Sequence, residues 1–407
     1  MHTKLCPIVF IYAILLLFSA GCTSQDNPTR EKVLLISIDG FMPEYMEKFE
    51  TPSLDYLAEE GVLADYMIPV FPTKTFPNHY SIVTGLYTEN SGVISNNMYD
   101  AKMDEYFSLG NRDAVTNPDW YGGEPIWVTA EKQGVRAATM FWPGSEAPIQ
   151  ETYATRWMPY DDDLGYTARV DSIISWLQVA DETNPGFLTL YFSKVDNYGH
   201  RYGTESDSVR AAVEEVDTHL GYLVDELQRI GEWGSVNILI TSDHGMANVS
   251  DERVIVLDEI IDPGDVEIID WSPVAMIRPK NNAEQIYEAL KSAENHYRVY
   301  LKDKIPEAYH VKNHSRVPEI MMIADIGYII TTRSFLDERN IRGATHGYDH
   351  RAPEMRSFFL AAGPSIQKNI QIPAFQSIHL YELMAWLLNV EPAPNDGDLD
   401  SLRHILR

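Results

Sequence analysis

Val33-Leu34-Leu35-Ile36-Ser37-Ile38-Asp39 is a short, nearly all-apolar run that ends in a carboxylate. A half-exposed strand alternates apolar and polar residues, whereas a strand buried on both faces of a parallel sheet reads like this one. The pattern recurs downstream. Phe187–Phe192 continues through Ser193-Lys194-Val195 to Asp196, and Val236–Ile240 continues through Thr241-Ser242 to Asp243. Ala137–Phe141 and Phe358–Ala362 read as further strands. Between them the period changes to that of helices, over Ala168–Val179 and from Asp207 to about Ile230. The second places Val209, Val213, Val216, Leu220, Leu223, Val224 and Leu227 on one stripe, a core-facing face. Thr51-Pro52 opens another helix with proline in its first turn, and Phe375–Leu388 reads as the last. This alternation predicts an α/β fold, a doubly wound, mostly parallel sheet with helices on both faces. Residues 248–340 have shorter elements and more turn signals, and are expected to form a smaller inserted subdomain.

Composition narrows the function classes. A chain of 407 residues that is 44% hydrophobic and 23% charged is neither disordered, collagen-like nor a multi-span membrane protein. The 60 acidic and 32 basic residues give a net charge of −28, and such a surface repels the backbone of a nucleic-acid polymer. The two cysteines, Cys6 and Cys22, cannot make a disulfide scaffold. Lys4 precedes the apolar run Ile8–Phe18, which has the length of a signal-peptide core and is short for a bilayer span. Ser19-Ala20-Gly21 directly before Cys22 resembles a bacterial lipoprotein processing site. The expectation is a signal peptide over 1–21, lipid on Cys22, a tether over 22–30 and a folded domain over 31–407. That places the protein in the bacterial cell envelope, periplasmic or surface-exposed, touching membrane only through its lipid anchor. A plain signal peptide or an uncleaved anchor is the alternative.

In open α/β sheets, sites form beyond the carboxyl ends of strands. A single aspartate there serves as readily as a helix cap, but two of the three carry a histidine at ligand spacing, as Asp196-x-x-x-His200 and Asp243-His244. His346 stands in the loop Thr345-His346-Gly347-Tyr348-Asp349. Carboxylate oxygen and imidazole nitrogen suit Zn²⁺, and three aspartates with three histidines suffice for two ions. A fourth element, Phe71-Pro72-Thr73-Lys74-Thr75-Phe76-Pro77-Asn78-His79-Tyr80, leads into an apolar helix. It puts Thr75 at a helix N-terminus, where free N–H groups favour an anion, unless Thr75 or Thr73 merely caps the helix.

Taken with Ser37-Ile38-Asp39-Gly40, Gly92-Val93-Ile94-Ser95-Asn96-Asn97-Met98-Tyr99-Asp100 and Phe141-Trp142-Pro143-Gly144-Ser145-Glu146, these motifs resemble the nucleotide pyrophosphatase/phosphodiesterase family of the alkaline phosphatase superfamily. The resemblance spans about residues 30–350 and implies an alkaline phosphatase-like catalytic domain. It implies one zinc on Asp196, His200 and His346, and a second on Asp39, Asp243 and His244 with Thr75 as nucleophile and ligand beside it. Asn96 would donate to a phosphate oxygen, and Phe76, Tyr160 and Tyr191 fall where the family stacks a nucleobase, or serve as core or rim aromatics. His350 stands where asparagine is more usual. The implied reaction is zinc-dependent hydrolysis of phosphodiester and pyrophosphate bonds in nucleotides and related small molecules, through a phospho-threonine intermediate, releasing nucleoside monophosphates. Lys74 reads as a solvated or supporting residue, and His219 and His379, lacking partner spacing, as structural.

A sulfatase needs a cysteine or serine in a Cys/Ser-x-Pro-x-Arg motif, which Thr75-Phe76-Pro77-Asn78 is not. A phosphomonoesterase usually adds cations for the extra phosphate charge, and Asn97–Ala101 supplies none before Lys102. A head-group phospholipid phosphodiesterase using the same two metals is the other alternative. Oligomeric state is not written in the sequence.

Overall fold

In the computed structural model, which describes His2 and residues 31–407, Lys32–Ile38 is the hub of the main sheet. It pairs in parallel with Phe187–Phe192 on one side and Val236–Thr241 on the other. Apart from Lys32, every residue of these three strands is buried. Helices cover both faces, which is why the runs are apolar throughout. Successive side chains of a strand point to opposite faces. Accordingly Leu34, Ile36 and Ile38 join one core with the Asp207–Arg229 helix, while Val33 and Leu35 join the other with the helices Thr75–Thr84 and Leu380–Leu388.

From edge to edge the eight strands run Ile370–Ile372, Gly61–Ala64, Phe359–Ala362, Val236–Thr241, Lys32–Ile38, Phe187–Phe192, Ala137–Met140 and Arg156–Met158. The sheet is mostly parallel; Phe359–Ala362 runs antiparallel to both neighbours. Asp207–Arg229 buries the whole predicted stripe, each large apolar side chain contributing about 1.5–3 kcal/mol. Ser206 caps it by accepting from the backbone N–H of Val209 at 3.2 Å.

Two local expectations shift. The last helix begins only at Leu380, because Phe375–Gln376 pairs as a short strand with Met67–Ile68. Thr51 precedes the helix Pro52–Glu59 but makes no side-chain capping bond.

Within 248–340, Val266–Asp270, Val274–Pro279, Ile320–Ala324 and Tyr297–Leu301 form a separate four-stranded antiparallel sheet. Ala275, Ile277, Ile320 and Met322 pack with the helix Ala283–Ser292, whereas Val274, Met276, Met321 and Ile323 belong to the main core. This sheet is therefore sandwiched rather than solvent-backed, and its Asp270 end reaches the site. The expected signal peptide, tether and Cys22 anchor lie outside the described residues.

Candidate active site

Three neighbouring elements deliver carboxylates to one edge of the sheet. Asp39 directly follows Lys32–Ile38, and Asp243 lies two residues past Val236–Thr241. Asp196 is in the first turn of the helix Lys194–Tyr202, so His200, one turn on, shares its face. Gly40, at φ +67°, turns the chain after Asp39; a Cβ there would meet Asp196 Cα and Cβ at 3.1 Å, so glycine is required twice over.

The donor atoms converge. His200 Nε2 and His346 Nε2 lie 3.5 and 3.7 Å from Asp196 Oδ1. His244 Nε2 lies 2.9 Å from Asp243 Oδ2 and 3.6 Å from Asp39 Oδ1. The rings of His244 and His346 stack at 3.5 Å, which joins the two groups. Asp39 Oδ1, Asp196 Oδ1, Asp243 Oδ2 and His244 Nε2 are buried without a hydrogen-bond partner. Such atoms cost several kcal/mol unless a cation meets them.

The histidines are oriented for ligation. His200 Nδ1 donates to the Ala344 carbonyl at 3.0 Å, His244 Nδ1 to Gly245 at 3.0 Å and His346 Nδ1 to Thr73 at 2.8 Å. A carbonyl accepts only from N–H, so each Nε2 presents its lone pair to the cluster, the arrangement seen for metal-bound imidazole. Asp39, Asp243 and His244 are nearly sealed, whereas the His200 side chain is 40% exposed, so the Asp196 group forms the mouth.

The electrostatics carry the same message. Burial, then Asp243 and Asp196, push the Asp39 carboxyl well above the usual carboxylate range. Burial works to raise Asp243 too, but His244 and His79 outweigh it and hold it well below. Burial, then His244 and His200, hold the His346 imidazole well below its usual range, which keeps it neutral. Burial works to lower the His244 pKa, but Asp243 outweighs it and raises it. Crowded carboxylates around His244 and a neutral His346 fit a divalent cation that takes the place of that proton.

Thr75 is the first residue of the helix Thr75–Thr84, with Lys74 at the N-cap position and no side-chain capping bond. Thr73 does not cap either, since its hydroxyl donates to Tyr348 O at 3.1 Å and accepts from Gly347 N at 3.0 Å. Asn96 Oδ1 accepts from Phe76 N at 2.9 Å, so the Asn96 amide N–H groups are left to donate next to Thr75. From Thr75 opens a cleft of about 160 Å³ lined by Phe76, Phe141, Tyr160 and Tyr191, with Arg112 paired to Glu146 on its wall. Phe141, at φ +62°, holds a backbone conformation rare for an aromatic residue, as strained residues at sites often do. Tyr160 is 42% exposed and its ring meets Tyr191 edge-on at 6.2 Å. Tyr191 is buried and its hydroxyl donates to Asp39 Oδ2 at 2.6 Å, tying the cleft to the carboxylate cluster.

Several residues here were passed over in the sequence. His79 lies one helical turn after Thr75, a spacing that does signal contact. Its Nδ1 donates to Thr75 O at 2.9 Å and its Nε2 accepts from Ser37 Oγ at 2.7 Å, which leaves no nitrogen for a metal although Asp243 Oδ2 is 3.4 Å away. Arg169 is wholly buried; it donates to Tyr191 O and Leu164 O at 2.8 Å and pins the loop before it, and no motif announced it. Lys74 is not solvated: it is buried against Asp270.

His350 packs beside Phe71 and Tyr309, away from the donor cluster, and its buried Nδ1 has no hydrogen-bond partner. Burial lowers its pKa from 6.5 to about 4. A histidine that must stay neutral when folded stabilises fully above its unfolded pKa and loses that contribution as pH falls through the folded one. Unfolding temperature is therefore expected to drop between pH 6.5 and about 4, less steeply in His350→Asn; melting curves across that range with equal slopes would refute this.

A model of the type I phosphodiesterase / nucleotide pyrophosphatase family matches residues 33–349. The bovine bis(5'-adenosyl)-triphosphatase ENPP4 is 38% identical over 402 residues, covering 97% of this chain and 86% of its own length. Human ectonucleotide pyrophosphatase/phosphodiesterase family member 5 is 36% identical over 407 residues, covering 100% of this chain and 84% of its own. The solved human ENPP5 superposes with a TM-score of 0.89 at 36% identity, over 93% of this chain and 100% of that one. An inactive threonine-to-alanine variant of murine ENPP5, solved in complex with AMP, gives 0.88 at 36% identity over the same shares. These relatives correct the expected location. They are vertebrate proteins, not bacterial lipoproteins, and a bacterial envelope address through a lipidated Cys22 finds no support. The mostly parallel sheet, the Asp/His cluster able to hold metal and the agreement along nearly the whole chain have one reading: the protein belongs to the type I phosphodiesterase / nucleotide pyrophosphatase family and is a hydrolase of that class.

Proposed function

We propose that the protein hydrolyses phosphoanhydride or phosphodiester bonds of nucleotide-type small molecules and releases a nucleoside monophosphate, with Thr75 as nucleophile and two Zn²⁺ as cofactor. The observation that carries this reading is the set of unpartnered donor atoms of Asp39, Asp196, Asp243 and His244, lying next to the segment that bears Thr75 and opening onto an aromatic cleft. Asp196, His200 and His346 would hold one ion, and Asp39, Asp243 and His244 the other, with the Thr75 hydroxyl beside it. Bound there, zinc supplies charge for the phosphate oxygens and favours the ionised form of a hydroxyl or water.

The chain's own residues do the rest. Thr75 Oγ attacks the phosphorus that carries the nucleoside and the bond to the leaving oxygen breaks, giving a phospho-threonine that still bears the nucleoside. Water then attacks that phosphorus, releasing the nucleoside monophosphate and returning Thr75. Asn96 donates to a non-bridging oxygen. Phe76 and Tyr160 take the base between them, while Tyr191 lines the cleft and steadies Asp39. The bovine relative's name and the AMP bound to the murine relative support a dinucleoside polyphosphate as substrate and a nucleoside monophosphate as product. In the same reading, residues 31–407 are the catalytic domain and 248–340 its inserted subdomain.

Lys74 and Arg112, the cations flanking Thr75 in sequence and in the cleft, are each paired with a carboxylate, which disfavours the additional charge of a monoester. We expect kcat/KM for a nitrophenyl ester of a nucleoside monophosphate to exceed that for nitrophenyl phosphate and for a lysophospholipid by about 100-fold. A monoester or lysophospholipid that wins by a large factor would overturn the diesterase reading.

A further inference from the structure

Asp270 closes the strand Val266–Asp270 of the antiparallel sheet, far in sequence from every motif of the site. Its side chain is only 4% exposed. Lys74 Nζ donates to Oδ2 at 2.5 Å, and the Ser95 hydroxyl donates to the same oxygen. Asn97 Nδ2 and the backbone N–H of Trp271 donate to Oδ1, each at 2.9 Å. Four donors thus saturate one buried carboxylate.

The identity of those donors matters more than their number. Lys74 is the residue before Thr75, and Ser95 and Asn97 are the residues on either side of Asn96. The loop after Asp270 presses on the same region: Lys74 Nζ also donates to Trp271 O at 3.3 Å, and a Cβ on Gly347 would meet Pro273 Cδ at 2.9 Å and Lys74 Cε at 3.1 Å. Asn96 is joined to the Thr75 helix by one direct bond, to Phe76 N. Asp270 adds a second, charge-assisted bridge between the two segments, made from a sheet that contributes no ligand.

We propose that Asp270 is a positioning residue for phosphoryl transfer, fixing Thr75 and Asn96 in mutual register. It rests on the reading of Thr75 as nucleophile given above. A carboxylate is required because the bridge meets an ammonium on one side and an amide and a hydroxyl on the other; an asparagine would turn an N–H₂ toward some of these donors and leave the Lys74 charge buried and unpaired.

Asp270→Asn is the test, with kcat and KM measured on the nucleoside monophosphate nitrophenyl ester, alongside zinc content and melting temperature. Misplacement of reacting groups by about 1 Å costs on the order of 100-fold in rate, so kcat per metal-loaded molecule should fall by about 30- to 100-fold with KM within about twofold. Asp270→Glu should recover part of the loss. A kcat within about twofold of the parent in folded, metal-loaded Asp270→Asn overturns the proposal. If Asp270→Asn does not fold, Ser95→Ala/Asn97→Ala carries the test, since it frees the Asn96 segment and keeps the Lys74 pair. It should lower kcat by about tenfold or more, and an unchanged kcat there also overturns the proposal. Thr75→Ala separates the two readings: activity surviving in that variant rejects the nucleophile assignment, whereas activity lost there but kept in the Asp270 variants rejects only the positioning role.

Discussion

Thr75→Ala will lower turnover of a nucleoside monophosphate nitrophenyl ester by about 10⁴-fold or more while the protein remains folded and metal-loaded. The size follows from removing the attacking atom, for which no neighbour substitutes: both nitrogens of His79 are engaged, and the hydroxyl of Thr73 is bound to Tyr348 and Gly347. Retention of fold follows from local structure, because Thr75 makes no side-chain cap and alanine is favoured in helices. Retention of metal is expected because the six Asp and His donors proposed above, Asp39, Asp196, His200, Asp243, His244 and His346, sit on other segments. Mass spectrometry of substrate-quenched enzyme should find a nucleoside monophosphate esterified to Thr75 in the parent and none in the variant. Residual activity above about 1% with normal metal content would reject the nucleophile assignment.

Chelation is the second large effect. Stripping metal from the folded protein should abolish hydrolysis and lower the melting temperature by several degrees, both restored by Zn²⁺ and not by Mg²⁺. An ion that binds only the folded state stabilises it by about 2.7 kcal/mol at a hundredfold excess over Kd. Here the loss is compounded, because burial already penalises the Asp39 charge and Asp243 and Asp196 add to it. Three imidazole donors select against Mg²⁺, which takes oxygen ligands and keeps its waters. Activity that survives chelation, or a melting curve that does not move, would remove the metal from the reading.

Much of this was legible because buried strands are written plainly. Phe187–Phe192 has the bounds its apolar run suggests, and the seven stripe residues of Asp207–Arg229 are all buried. The short strands Gly61–Ala64 and Ile370–Ile372 at one side of the sheet were missed, since so few residues carry no period. The reversed direction of Phe359–Ala362 was not legible either, because polarity is set by connections rather than composition. Among site residues, the aspartates and histidines declared themselves by strand ends and spacing. Arg169 and Asp270 did not, since each acts on backbone or neighbours of the chemical groups from an element with no motif of its own.

The central place of Lys32–Ile38 bears on the order in which the molecule is made. Its two flanking strands come from much later in the chain, with Val33 opposite Phe187 and Lys32 opposite Val236. Long-range parallel pairing of this kind closes slowly and leaves apolar edges open while it waits. During synthesis, Asp39 emerges long before Asp196, Asp243 and His346 exist to surround it. On the proposed reading, ion capture is an act of the nearly finished chain, and the rate at which a refolding sample takes up metal should report how fast its first strand finds its partners.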